Sequence, residues 1–372
     1  MIKINIDKEK EKEKENDLDK KFNHLLNNKI IEQNIIKNSI KNDILDYQKY
    51  VKKHIEKLNE INKKILINLQ NNINKINRNY KAKLYGSRAT NLCLMWSDID
   101  IVIYYENENK NKENNINEEE EESEEEENIE EKDRKKFLEK LNEILNNDIL
   151  FVENIKYLNR ATVPIIKIKT TKEYNNTMID ITLKTKDHFG LKCVKLIKNY
   201  LKKYESLEPL LFPLKTILKV GELNDPYNGG LSSYALILMI VNFLEYQKSI
   251  NKNISLDYIG DLFYDFLFFY GGRKDSNYID IHNLNNMKYS NTCLVYISDP
   301  LNKNNNVAKT SFKFIEVKLI FLISLQIINE PCYCQCHYIK NVDDKNIEHN
   351  YLNKIFFGLK RGKTNSILTD NN

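Results

Sequence analysis

Two aspartates alternate with branched aliphatic residues in Asp98-Ile99-Asp100-Ile101-Val102-Ile103, and this short run constrains the chain more than any other. Alternation is the period of a β-strand, so Asp98 and Asp100 share one face while Ile99, Ile101 and Ile103 pack the other. Two carboxylates held that close repel each other unless a cation lies between them, and hard oxygen donors suit Mg²⁺ or Mn²⁺. A third acid sits in a similar run, Met178-Ile179-Asp180-Ile181-Thr182-Leu183. If the two strands are neighbours, three carboxylates converge, enough to hold two metals about 4 Å apart for an in-line displacement. Eleven residues before Asp98, Gly86-Ser87 closes another strand-like stretch and precedes a short helix starting near Arg88. A glycine there permits close backbone approach, and amides at a helix start attract phosphate oxygens.

The chain around these residues divides by period. Residues 1–28 are highly charged without an apolar repeat and are expected to be disordered. Residues 29–77 carry Ile and Leu at helical spacing and predict two or three helices packing on the central domain. Strands are expected at Lys81–Tyr85, Asp98–Tyr105, Phe151–Tyr157, Val163–Thr170 and Thr177–Leu183, with a helix at Arg134–Leu145. These make a small mixed α/β domain over 78–188, interrupted by a disordered acidic insertion at about 106–132. From 189 to 360 the period is 3.6 again, giving helices at Leu191–Tyr204, Leu210–Val220, Ser232–Gln247, Asp257–Phe269 and Phe312–Ile328. Residues 361–372 are a tail. The fold class is α+β, a mixed-sheet catalytic domain plus a mostly helical central domain.

Ordered motifs then point to a family. Tyr85-Gly86-Ser87-Arg88-Ala89-Thr90-Asn91-Leu92 followed by Ser97-Asp98-Ile99-Asp100 resembles the signature of the DNA polymerase β-like nucleotidyltransferases. Gly229-Gly230-Leu231-Ser232-Ser233-Tyr234 looks like the central motif of the poly(A) polymerase-associated domain. Ile297-Ser298-Asp299-Pro300-Leu301, continuing to Asn305, is similar to that family's nucleotide-recognition segment. The resemblance spans about Tyr80 to Ile328 and narrows to the noncanonical poly(A) polymerases and terminal uridylyltransferases.

That resemblance implies transfer of AMP from ATP to an RNA 3′ end with release of pyrophosphate. Asp98, Asp100 and Asp180 would be the catalytic metal ligands, with Asp180 nearest the attacking hydroxyl. Gly86 and Ser87 would cradle the triphosphate, Lys215 and Lys219 would reach its phosphates, Ser233 would contact them, and Tyr234 would stack on the base. Asp299 belongs to the recognition segment. The family's uridylyltransferases often carry a histidine six residues after the acid matching Asp299; here that residue is Asn305, which tilts the expectation to adenylyl transfer. Uridylyl transfer is the rival within the class, and an inactive RNA-binding scaffold is the rival outside it. Asn91 replaces the glycine of the usual pattern, a position where Asn tolerates left-handed backbone. The start of the helix near Gly190 lacks the residues that usually meet the ribose.

Composition sets the remaining expectations. The chain has 57 basic and 53 acidic residues, but eleven of the acids are Glu between Glu118 and Glu131, so the rest carries an excess of fifteen positive charges. That fits a polyanionic partner. An RNA 3′ end is the expected substrate and an RNA-delivering protein the expected partner. No apolar run approaches the ~20 residues of a membrane span, so an intracellular chain is expected, nuclear or cytoplasmic, with no membrane partner. Cys332, Cys334 and Cys336 are spaced too tightly for a usual zinc site and read as an oxidisable loop, and the Glu run reads as solvated.

Overall fold

The computed structural model describes residues 2–106, 131–161, 163–185, 188–272, 278–279, 294–329 and 350–369. The Glu run up to Glu130 and the cluster of Cys332, Cys334 and Cys336 lie outside them. The chain forms two compact units. One comprises Tyr47–Phe212 with Ser298–Val307; the other comprises Met1–Asp46, Pro213–Ile297 and Ala308–Asn372.

The first unit is built on a five-stranded mixed sheet. Its strands are β1 (Tyr80–Tyr85), β2 (Ile99–Tyr105), β3 (Val152–Leu158), β4 (Ile165–Thr170) and β5 (Met178–Leu183), ordered β1-β2-β5-β4-β3. All pairings are antiparallel except β2 with β5. The aliphatic residues of the alternating runs define a closed face. Ile99, Ile101 and Ile103 of β2, Ile179 and Ile181 of β5, and Ile166 and Ile168 of β4 are fully buried there. Each such side chain stabilises the unit by roughly 1.5–3 kcal/mol. Helix α3 (Glu131–Asn146) covers this face with Phe137, Leu141 and Leu145, and the end of helix α1 (Ile2–Asn74) adds Ile65, Leu69 and Ile73.

Three expectations about the ends of the chain differ from the structure. A single helix α1 replaces the two or three predicted from 29–77, because neither Gly nor Pro occurs between Ile2 and Asn74 to stop it. Its later turns enter the core beneath the sheet rather than packing only on the central domain. The charged residues 2–28 continue the same helix instead of lacking structure; Lys and Glu are strong helix formers and carry such a stretch without an apolar stripe. Most of the segment taken as a tail is likewise helical, in α9 (Tyr351–Thr369).

The second unit is helical, with α6 (Ser233–Ser249), α7 (Ile259–Gly272), α8 (Phe314–Asn329) and α9, and with the first part of α1. Helix α6 is buried along almost its whole length. Two further helices lie between β5 and α6 in sequence: α4 (Gly190–Lys203) in the sheet unit, and α5 (Leu207–Val220), whose residues from Pro213 belong to the helical unit. Gly260 of α7 lies so close to α1 that a Cβ would stand 2.0 Å from the Lys37 carbonyl oxygen. Ion pairs Lys37–Asp261 and Lys41–Asp257 flank that contact. Among the remaining strands, β6 (Tyr278–Ile279) pairs in parallel with the start of β7 (Tyr296–Asp299), and the end of β7 turns back into β8 (Asn302–Asn306). The segment 298–307 counts with the sheet unit, whereas the sequence placed all of 189–360 in the helical domain.

Candidate active site

The parallel pairing of β2 and β5 brings together what the sequence separates by eighty residues. Asp100 and Asp180 are register partners in that ladder, so their side chains rise side by side on the open face. Asp98 lies one residue before the first residue of β2, exposed, while Asp100 and Asp180 are half-buried. Two carboxylates about 4 Å apart repel by about 4 kcal/mol at the effective dielectric of a protein surface. Part of that repulsion is offset by Lys167 of β4, whose Nζ stands 2.5 Å from Asp180 Oδ2. Among the described residues no three acidic or other ligating side chains are already gathered as a metal cluster. The donor set nevertheless fits a hard divalent cation: two carboxylates on adjacent strands, a third acid one residue before β2, and only oxygen ligands.

Gly86 fits the site by what it lacks. Its φ is +66°, and a Cβ there would stand 2.2 Å from Asp100 Oδ2. The backbone therefore passes directly against the Asp100 carboxylate, which no other residue type allows without displacement. Gly86 and half-buried Ser87 open the one-turn helix α2 (Gly86–Ala89). Asn91, three residues past Arg88, takes φ +56°. The left-handed turn is thus kept without glycine.

Arg88 was not singled out from the sequence, yet it is the most buried polar residue of this turn at 4% exposure. Its Nε and Nη2 donate to the Ser97 carbonyl oxygen at 3.2 and 2.6 Å. The Ser97 Oγ in turn accepts from the Leu94 amide at 2.9 Å. Burial weakens the proton affinity of the guanidinium, and Cys93, Asp98 and Asp100 counter that effect. An arginine stays charged under such opposition, so Arg88 anchors the residue that precedes Asp98 and supplies a positive field beneath the acids. Tyr85, the register partner of Asp100, forms the other flank. Burial pushes its hydroxyl up to about 12, Asp100 adds to the shift, and a hydrogen bond with Thr182 opposes it. The Tyr85 ring meets His188 edge-to-face at 4.9 Å. Gly190, where the usual ribose contacts are missing from the sequence, has no room for a side chain: a Cβ would stand 2.6 Å from His188 and 2.7 Å from Tyr85.

In the recognition segment the structure joins the two residues that the sequence named. Asn305 Nδ2 donates to Asp299 Oδ2 at 2.9 Å, and Asp299 Oδ1 accepts the Leu301 amide at 3.0 Å. Because a carboxylate only accepts, the Asn305 amide is fixed with its nitrogen on Asp299 and its Oδ1 turned away. Asp299 is buried at 5% exposure and acts as the organiser of the turn.

The helical unit holds the remaining candidates. Lys215 and Lys219 share a face of α5; Lys215 is buried at 8% exposure and Lys219 is exposed. Ser232 caps α6, its Oγ accepting from the Ala235 amide at 3.0 Å, which makes Ser233 and Tyr234 the first two helical residues. Gly229 and Gly230 set this entry: Gly229 has φ +86° and lies against Phe312, and the Gly230 carbonyl accepts from Ser311 Oγ at 2.9 Å.

A mixed sheet that carries paired aspartates beside a glycine-opened turn agrees with the resemblance to the DNA polymerase β-like nucleotidyltransferases. The central palm domain of mitochondrial-like poly(A) RNA polymerases matches residues 40–202. The poly(A) RNA polymerase cid14 of Schizosaccharomyces pombe is 26% identical over 263 residues, 67% of this chain and 35% of that protein. Trf4-2 of Drosophila melanogaster, described as an inactive poly(A) RNA polymerase of the noncanonical type, is 26% identical over 250 residues, 63% of this chain and 54% of that protein. The chain thus spans about a third to a half of the length of these curated relatives. Among solved structures, the polymerase core of TRAMP, an RNA surveillance complex, shares the fold with TM-score 0.61 and 20% identity, covering 88% of this chain and 95% of that one. A histidine-to-asparagine mutant of the Cid1 poly(U) polymerase bound to MgATP does so with TM-score 0.54 and 19% identity, covering 77% and 96%. Both the matched stretch and the shared fold make the chain similar to the noncanonical poly(A) polymerases and terminal uridylyltransferases. Among the described residues no helix is long and apolar enough to cross a membrane.

Proposed function

We propose that this chain adds AMP from ATP to RNA 3′ ends. The observation that carries the reading is the register pairing of Asp100 with Asp180 beside the bare backbone of Gly86. A divalent cation bound to these carboxylates would neutralise charge on the transferring phosphate and lower the pKa of the attacking hydroxyl. The chain's own residues supply positioning. Asp180 faces the attacking hydroxyl, Gly86 and Ser87 offer backbone and hydroxyl donors to the triphosphate, and Arg88 keeps Asp98 in place through Ser97. The resemblance assigns phosphate contacts to Lys215, Lys219 and Ser233 of the helical unit and base stacking to its Tyr234, a contact tolerant of base identity.

Selection of the base then rests on an edge contact. With its nitrogen committed to Asp299, Asn305 presents an acceptor. An acceptor suits the exocyclic amine of adenine and not the O4 carbonyl of uracil. The Cid1 structure with asparagine in place of a histidine holds MgATP, which supports the same direction. The test is primer extension on oligo(A) with Mg²⁺ and each nucleoside triphosphate offered separately, with Asp100→Ala alongside. ATP incorporation that is lost in Asp100→Ala is expected. Preferential UTP incorporation would overturn the base assignment, and absence of extension by the wild-type chain would overturn the enzyme reading in favour of an inactive relative such as Trf4-2.

A further inference from the structure

The register of the sheet aligns one residue from every strand at the level of the acids. Tyr85 pairs with Asp100, Asp100 with Asp180, Asp180 with Lys167, and Lys167 with Lys156. Directly opposed residues share a face, so the row Tyr85–Asp100–Asp180–Lys167–Lys156 crosses the open face from β1 to the edge strand β3. Lys156 is exposed and Lys167 half-buried. Two residues along β4, Lys169 is held by Glu153 at 2.9 Å. Like charges opposed across two strands destabilise a sheet, so the Lys156–Lys167 pair carries a cost that Asp180 offsets only on the Lys167 side and that an anion lying between them would remove.

The chemistry fixes which anion. In an in-line displacement the attacking oxygen and the leaving pyrophosphate lie on opposite sides of the α-phosphate. Gly86 and Ser87 mark the triphosphate side at β1, so the attacking strand comes from the side of β5, β4 and β3. We infer that Lys167 and Lys156 form a phosphodiester track that lays the last nucleotides of a single-stranded RNA primer across β4 and β3. Strands lie about 5 Å apart, so Lys156 is roughly 10 Å from Asp180, a reach that suits phosphates just behind the terminal hydroxyl. Lysine ammonium groups read phosphate as point charges without sequence preference, as tailing of varied 3′ ends requires. A cation taken up by Asp180 would also compete with Lys167 for that carboxylate and leave its ammonium to the RNA.

This inference rests on the proposed reaction, but its test separates the two. Binding of labelled single-stranded oligo(A) and of a mixed-sequence RNA is measured with Mg²⁺ but without nucleotide from 50 to 200 mM salt, by fluorescence anisotropy. Lys156→Gln should weaken both RNAs alike and flatten the log–log salt slope by about 0.7, the value for one phosphate contact on a single strand. In extension assays it should raise KM for the primer about 3- to 10-fold while KM for ATP stays. Lys167→Gln should flatten the slope equally and also lower turnover, because it touches Asp180. Lys136→Gln, on α3 behind the closed face, should behave as wild type. An unchanged slope in Lys156→Gln, or a loss that falls on ATP instead of primer, overturns the track. If the wild-type chain extends no primer but Lys156→Gln still flattens the slope, the reaction is refuted and the RNA track stands.

Discussion

Replacing Gly86 with alanine tests the geometry at its tightest point. Two effects add. The backbone at φ +66° is costly for any residue with a Cβ, by about 1–2 kcal/mol. The new methyl would also stand 2.2 Å from Asp100 Oδ2, and ordinary contact requires the carboxylate to retreat by roughly 1 Å. A misplacement of that size at a reacting centre costs on the order of 100-fold in rate. Gly86→Ala should therefore keep its fold, melting only a few degrees lower by the usual scaling, while kcat for primer extension falls on the order of 100-fold. Thermal denaturation and single-turnover extension on the same preparation measure both. Activity within about 3-fold of wild type, or a loss that merely follows the unfolded fraction, refutes the reasoning that Asp100 is held by the close passage of the Gly86 backbone.

Two further outcomes follow from the electrostatics and the recognition turn. Asp43 of α1 accepts the Tyr351 amide at the start of α9, and burial outweighs that bond to push its carboxyl up to about 6. A folded-state value above the ordinary 3.8 means stabilisation that is present below about 4 and lost as pH rises through 6. After allowance for solvent screening this is worth about 1–2 kcal/mol. Urea melts at pH 4 and pH 7 should show a smaller pH difference in Asp43→Asn than in wild type, and equal differences would discard the assignment. Asn305→His replaces a fixed acceptor with a ring able to donate, and the ratio of UTP to ATP incorporation should rise by about tenfold, the effect of exchanging one hydrogen bond. An unmoved ratio would place base selection elsewhere.

The strands and helices of the interior were legible because their apolar periods are short and strong. β1, β2, β4 and β5 begin within two residues of where alternation puts them, and α4, α6, α7 and α8 fall on their 3.6-residue runs. The Asp100–Asp180 pairing was anticipated only as a condition, since alternation gives a face and not a neighbour. What stayed hidden depends on register and long-range contact. Lys167 reads as one of many lysines until β4 is set beside β5. Arg88 looks like a helix residue until its fork reaches the Ser97 carbonyl. Residues 2–28 misled in the opposite direction, because a charged composition without an apolar stripe speaks against burial but not against a helix. Asn91 was legible from the resemblance, which puts a glycine there, together with the backbone preference of Asn, and its φ of +56° agrees with both.

The single parallel pairing in the sheet also determines where the chain tolerates growth. Parallel neighbours need a long return path, and here the path from β2 to β5 contains α3, β3 and β4 as well as the acidic run between β2 and α3. Closing a longer loop on that path costs only about 0.6 kcal/mol per doubling of length. Segments can be gained or lost there over evolutionary time while Asp100 and Asp180 keep the same rung of the ladder. The return path thus lets length drift be decoupled from chemistry.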